Sequence, residues 1–123
     1  MKKILIVDDE RKAVEILQIK LSELPFEVDY TLNSALAAEK AASLMPDLVI
    51  LDILMPEMDG IDVLKALKKA VSTKGIPVVV LTSCDNDALK REALNAGAAE
   101  YFRKPPDERF ISKVKKLLEP ENG

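Results

Sequence analysis

Strand-like and helix-like periods alternate five times along this chain, and that alternation restricts the fold more than any single residue does. Residues 3–8 begin as a β-branched apolar run without polar interleaving, the mark of a strand covered on both faces. From Glu10 to Leu24 the apolar positions Val14, Leu17, Leu21 and Leu24 recur at helical spacing, and Pro25 closes the segment. Phe26 to Leu32, with polar residues interleaved, suits a short edge strand. Asn33 or Ser34 can then cap an alanine-rich helix that runs to about Leu44 and stops at Met45-Pro46. Residues 47–51 are a third strand. Pro56 and Asp59-Gly60 mark a loop, after which Ile61, Leu64, Leu67 and Val71 form a third helical stripe. Gly75 and Pro77 punctuate the return to a strand at 76–81, and Asp85 or Asn86 can cap a fourth helix ending at Gly97. Residues 99–103 give a fifth strand, and Phe110, Ile111, Val114, Leu117 and Leu118 line a last amphipathic helix. The pattern predicts one α/β domain over residues 1–123, a doubly wound (βα)5 sandwich. Its sheet is mainly parallel, joined by right-handed crossovers, with helices on both faces.

In such sheets ligands bind beyond the carboxyl ends of the strands. Those ends are where the chain places its reactive groups. The first run stops at Asp8-Asp9, the third at Asp52 and the fourth at Thr82, while Tyr101-Phe102-Arg103 leads to Lys104. Three carboxylates in one crevice repel strongly: two unit charges about 4 Å apart cost about 4 kcal/mol at an effective dielectric near 20. Such a cluster raises a carboxyl pKa or recruits a cation. With no histidine and only Cys84 as a thiol, any metal must be held by oxygen, which favours Mg²⁺, Mn²⁺ or Ca²⁺.

With a cation beside it, Asp52 can act as a nucleophile towards phosphorus. Phosphoryl transfer needs positioning and neutralisation of oxygen charge more than it needs a base. Thr82 offers a hydroxyl for a phosphoryl oxygen, and Lys104 a compact positive charge that can pair with Asp52. Plainer roles exist for each: Asp8-Asp9 as a helix cap, Thr82 as a strand end, Lys104 as a solvated side chain, and Tyr101 as an aromatic packed on the surface. Lys104-Pro105 can be cis, turning the ammonium into the crevice, or trans, opening the last helix.

Composition removes several classes of function. The balance of 18 basic and 21 acidic residues leaves a net charge of −3, with no basic face that would mark direct nucleic-acid binding. A single cysteine allows no internal disulfide and suits a reducing compartment. No run approaches the roughly 20 apolar residues of a membrane span, so the expected location is the cytoplasm.

The chain resembles a bacterial two-component response-regulator receiver domain. The resemblance is carried by Asp8-Asp9, by Asp52 followed by Met55-Pro56 and Asp59-Gly60, by Thr82-Ser83 and Gly97-Ala98, and by Tyr101 three before Lys104-Pro105. Each motif is weak singly; their order and spacing together are specific and cover essentially the whole chain. The resemblance implies a flavodoxin-like sheet of order 2-1-3-4-5, an order that comes with the family rather than from the runs themselves. It implies that Asp52 is the phosphoacceptor for a sensor histidine kinase or histidine phosphotransfer protein. Asp9 and Asp52 would ligate Mg²⁺ with the Leu54 carbonyl, and Asp8 would act largely through water. Thr82 and Tyr101 would form a coupled switch that reshapes helix 4, strand 5 and helix 5 for an output partner or domain. The expected form is a monomer or a phosphorylation-dependent dimer, acting as an interaction switch rather than a turnover enzyme. Leu54 and Cys84 stand at positions that vary in the family, and Pro106 replaces an apolar, often aromatic, residue.

Other classes fit less well. A haloacid-dehalogenase-type hydrolase would want a second Asp two residues after the first-strand nucleophile, whereas Asp8 is followed by Asp9, Glu10 and Arg11. A flavin or nucleotide carrier would want a glycine-rich phosphate loop and more aromatics. A degenerate receiver would have lost part of the set Asp8, Asp9, Asp52, Thr82 and Lys104, which is intact. With Pro120-Glu121-Asn122-Gly123 soon after the last helix, a free-standing receiver and one taken from a longer protein both fit.

Overall fold

The two uninterrupted apolar runs at residues 4–7 and 48–51 lie side by side inside the sheet, where both of their faces are covered. A computed structural model describes residues 1–55 and 59–119; Pro56 and the segment from Pro120 to Gly123 lie outside the described residues. The strands are β1 (Lys2–Val7), β2 (Phe26–Thr31), β3 (Leu48–Leu51), β4 (Val78–Thr82) and β5 (Glu100–Arg103). All pair in parallel in the order β2-β1-β3-β4-β5. The polar-interleaved strand β2 is an edge, as its alternation predicts.

The helices are α1 (Arg11–Leu21), α2 (Ala37–Leu44), α3 (Gly60–Lys69), α4 (Asp87–Asn95) and α5 (Glu108–Leu118), with a 3-10 turn at Ser34–Leu36 before α2. Side chains alternate across the strands and divide the core in two. Ile4, Ile6, Ile50, Val79 and Leu81 pack on Val14, Leu17 and Leu21 of α1 and on Phe110, Val114 and Leu118 of α5. Leu5, Val7, Val49, Leu51, Val78 and Val80 pack on Ala37 and Ala41 of α2, Ile61, Leu64 and Leu67 of α3, and Ala93 of α4. Each buried Val, Leu, Ile or Phe side chain among them contributes about 1.5–3 kcal/mol. Among the described residues no helix is long and apolar enough to cross a membrane.

Local chemistry sets the helix ends. Asn33 accepts from the Ala35 amide, Asp59 from Ile61, Asn86 from Leu89 and Asp107 from Phe110, so each satisfies an amide that the helix leaves open. Gly97, with φ of 111°, takes the left-handed conformation that follows α4. Two boundaries differ from the periodicity. Helix α1 ends at Leu21, where the Ser22 hydroxyl caps the Ile19 carbonyl, so Leu24 packs from beyond the helix. Helix α3 ends at Lys69 because Ala70 is extended, which leaves Val71 outside the stripe and 84% exposed.

Candidate functional site

The sheet register delivers the carboxylates to one rim. Val7 and Leu51 are partners, and the Asp52 amide donates to the Val7 carbonyl at 2.9 Å, so Asp8 and Asp52 leave adjacent strands side by side. On the next strands Thr82 partners Arg103, and the Lys104 amide donates to the Thr82 carbonyl at 2.9 Å. The Lys104-Pro105 peptide is cis. Lys104 Nζ donates to Asp8 Oδ2 at 2.7 Å and to Asp52 Oδ2 at 3.0 Å. The remaining oxygens are held by the backbone: Asp8 Oδ1 accepts from the Glu10 amide and Asp52 Oδ1 from the Leu54 amide, each at 3.0 Å. The ammonium thus ties together three segments far apart in sequence.

Both carboxylates are buried, which is costly unless they are paired. Burial pushes the Asp8 carboxyl above its ordinary value, against the opposing pull of Lys104 and the Glu10 amide. For Lys104 burial acts downward, but the hydrogen bonds and charges of Asp8 and Asp52 outweigh it, so the ammonium holds its proton above the usual lysine range. Asp8 and Asp9 are not spent on capping: the N-cap of α1 is Glu10, and no side chain caps it.

The donors present suit a hard cation. Carboxylate oxygens of Asp8, Glu10 and Asp52 lie within 4.8 Å of one another. Asp9 Oδ1 is buried and, among the described residues, has no hydrogen-bond partner. An uncompensated buried carboxylate oxygen is expensive, and an oxygen-rich cluster with surplus negative charge is what Mg²⁺ or Mn²⁺ requires. The sequence reading gave Glu10 no part in this cluster. The available signal was a third acid directly after Asp8-Asp9, read only as the start of a helix.

The remaining residues surround the pair. Thr82 is buried at the end of β4, and its Oγ1 accepts from the Cys84 amide at 3.4 Å, leaving its own proton to donate. Tyr101 is only 8% exposed, which corrects the surface-packed alternative. It lies in the core beneath α4, and its hydroxyl donates to the Cys84 carbonyl at 2.9 Å. Burial, then the neighbouring Cys84 and acidic groups, push its pKa up to about 12, so it stays neutral near pH 7. Thr82 and Tyr101 therefore hold the same loop residue from two sides. Leu54 points outward beside Asp52, with 49% of its surface exposed.

A stability test follows from Asp8. A carboxyl whose folded pKa is raised contributes stability fully present below its ordinary 3.8 and lost as pH climbs through the higher folded value. In chelator, Asp8→Asn should therefore melt higher than the parent by about 2–5 °C near neutral pH. The gap should close as the pH falls towards about 4. Thermal melts across that range check it; a variant less stable at pH 7 would contradict it.

The Response regulator receiver domain family matches residues 4–115. Response regulator PleD of Caulobacter vibrioides is 37% identical over 106 residues, covering 86% of this chain and 23% of that protein. The alkaline phosphatase synthesis transcriptional regulatory protein PhoP of Bacillus subtilis is 36% identical over 118 residues, covering 95% of this chain and 48% of that protein. The chain thus spans half or less of these two relatives. A crystal structure of a two-component response regulator from Clostridium difficile superposes with a TM-score of 0.90 at 31% identity, covering 100% of both chains.

Proposed function

The chain belongs to the response regulator receiver domain family of two-component signalling, and from that premise we propose that Asp52 is its phosphoacceptor. The observation that carries the reading is the three-way junction of Asp8, Asp52 and Lys104; next to Asp8 in the chain, Asp9 Oδ1 is buried and, among the described residues, without a hydrogen-bond partner. In this reading an Asp52 carboxylate oxygen attacks phosphorus as the donor's leaving group departs. Lys104 keeps its contact with Asp8 and transfers its second contact to a phosphoryl oxygen. Thr82 donates its hydroxyl to another. Asp9 and Asp52, with the Leu54 carbonyl, would hold Mg²⁺ directly, and Asp8 through water. Bound there, the cation supplies charge neutralisation for the peripheral phosphoryl oxygens.

The switch reading rests on the shared contacts of Cys84. If Thr82 shifts towards a phosphoryl group, the loop that also accepts the Tyr101 hydroxyl must follow. That movement reaches α4, β5 and α5, and phosphorylation then biases a pre-existing pair of states for an output partner or domain. A protein phosphodonor, a sensor histidine kinase or histidine phosphotransfer protein, would approach past an apolar hollow of about 240 Å³. It is lined by Ala13, Ile16, Leu17, Leu81, Pro105 and Pro106 and borders Lys104. The domain works as one cytoplasmic switch rather than as a turnover enzyme.

Incubation with acetyl phosphate tests the reading. Intact mass should rise by one phosphoryl group with Mg²⁺ and stay unchanged with chelator. The exposed Leu54 adds a second test. Its bulk beside Asp52 shields the acyl phosphate from water, so Leu54→Asn should shorten the lifetime of the phosphorylated form roughly threefold to tenfold, about 1 kcal/mol of barrier. Equal decay rates would discard that role.

A further inference from the structure

We propose that Glu10 makes this site select its phosphodonors by charge. The inference rests on the phosphoacceptor reading and adds to it a donor class that the site disfavours: small, doubly charged phosphate anhydrides. Glu10 is fixed by its backbone, whose amide donates to Asp8 Oδ1 at 3.0 Å at the entrance to α1. Its side chain is exposed at the mouth of the site, with a carboxylate oxygen within 4.8 Å of oxygens on Asp8 and Asp52. Among the described residues it makes no ion pair, and Lys104 is already shared between Asp8 and Asp52.

The consequence is a surplus of charge. With Asp8, Asp9, Glu10 and Asp52 ionised, one ammonium and one divalent cation leave the site net negative. Without Glu10 the same set is neutral. A donor brought up to Asp52 comes close to this carboxylate, and the repulsion scales with the donor's own charge. At about 6 Å in water-like surroundings, one extra negative charge slows a monoanion about threefold and a dianion about tenfold. A protein donor can offset that loss through contacts elsewhere, whereas a free anhydride cannot.

Two small donors separate charge from shape. Acetyl phosphate is a dianion near neutral pH; its P–O bond breaks as the Asp52 Oδ–P bond forms, and acetate leaves with the bonding electron pair. Phosphoramidate carries one net negative charge; its P–N bond breaks and ammonia leaves. Phosphorylation rates of the parent and Glu10→Gln should be measured with both, at low salt and with Mg²⁺ saturation checked by calorimetry. We expect Glu10→Gln to accelerate acetyl phosphate about tenfold and phosphoramidate about threefold. The gain should shrink at about 1 M salt, where screening is nearly complete. Glu10→Asp, which keeps the charge, should stay slow. Unchanged rates for Glu10→Gln, or equal acceleration with both donors and no salt dependence, would overturn the inference while leaving Asp52 as the acceptor. A parent protein that takes phosphate from neither donor would instead sink the phosphoacceptor reading, and this inference with it.

Discussion

Asp52→Asn is expected to abolish phosphoryl incorporation, leaving the intact mass unchanged under conditions that modify the parent. The amide has nearly the shape of the carboxylate. Its single oxygen can accept from the Leu54 amide or from Lys104 Nζ, which in the parent bind different oxygens of Asp52, each at 3.0 Å. It lacks the anionic oxygen that attacks phosphorus, so the loss should be complete rather than graded. Stability should not fall in chelator, because the substitution removes one of two buried carboxylates sharing a single ammonium. A variant that is folded and unphosphorylated would therefore separate chemistry from structure. Persistent addition of one phosphoryl group would place the modification on another side chain, with Asp8 and Asp9 next to be examined.

Gly60→Ala should give the largest loss of stability of any single methyl addition at the described glycines. A Cβ at Gly60 would overlap the Ile53 Cα and come within 2.8 Å of Ile53 Cβ and 2.9 Å of the Asp52 carbonyl oxygen. None of these is the free end of a flexible side chain, so the segment that carries the acceptor must move. The cost should be about 3 kcal/mol or more, a fall in melting temperature on the order of 10 °C. Because Asp52 belongs to the displaced segment, the folded fraction should also phosphorylate more slowly; a misplacement near 1 Å costs about a hundredfold in such reactions. Gly75→Ala is the comparison, since a Cβ there meets nothing within 4 Å. Its melting temperature should stay level or rise slightly, as expected from a less flexible unfolded chain. Equal effects at the two positions would show that packing against Ile53 is not what requires Gly60.

Much of the site was legible because strand ends are written in sequence. An apolar run that stops at a carboxylate marks both a buried strand and its rim, so Asp8, Asp52 and Thr82 could be placed together before any coordinates. Lys104 was harder. Its run is short and its neighbours polar, and only the motif spacing distinguished it from a solvated lysine. Glu10 escaped because a glutamate at a helix start has an ordinary explanation, and nothing in one dimension says that its side chain lies beside Asp52. Tyr101 stayed ambiguous for a related reason: an aromatic on an edge strand can face either side, and the choice depends on the Cys84 carbonyl seventeen residues away.

Periodicity and punctuation alone determined the α/β class, the four crossovers and the rim on which the polar groups gather, because these follow from local sterics and from which faces must avoid water. Strand order was readable only through the family resemblance, and the burial of Tyr101, the early end of α3 and the position of Glu10 were decided only in three dimensions. Each depends on atoms far apart along the chain, and their energies exist only once the sheet register has brought them together.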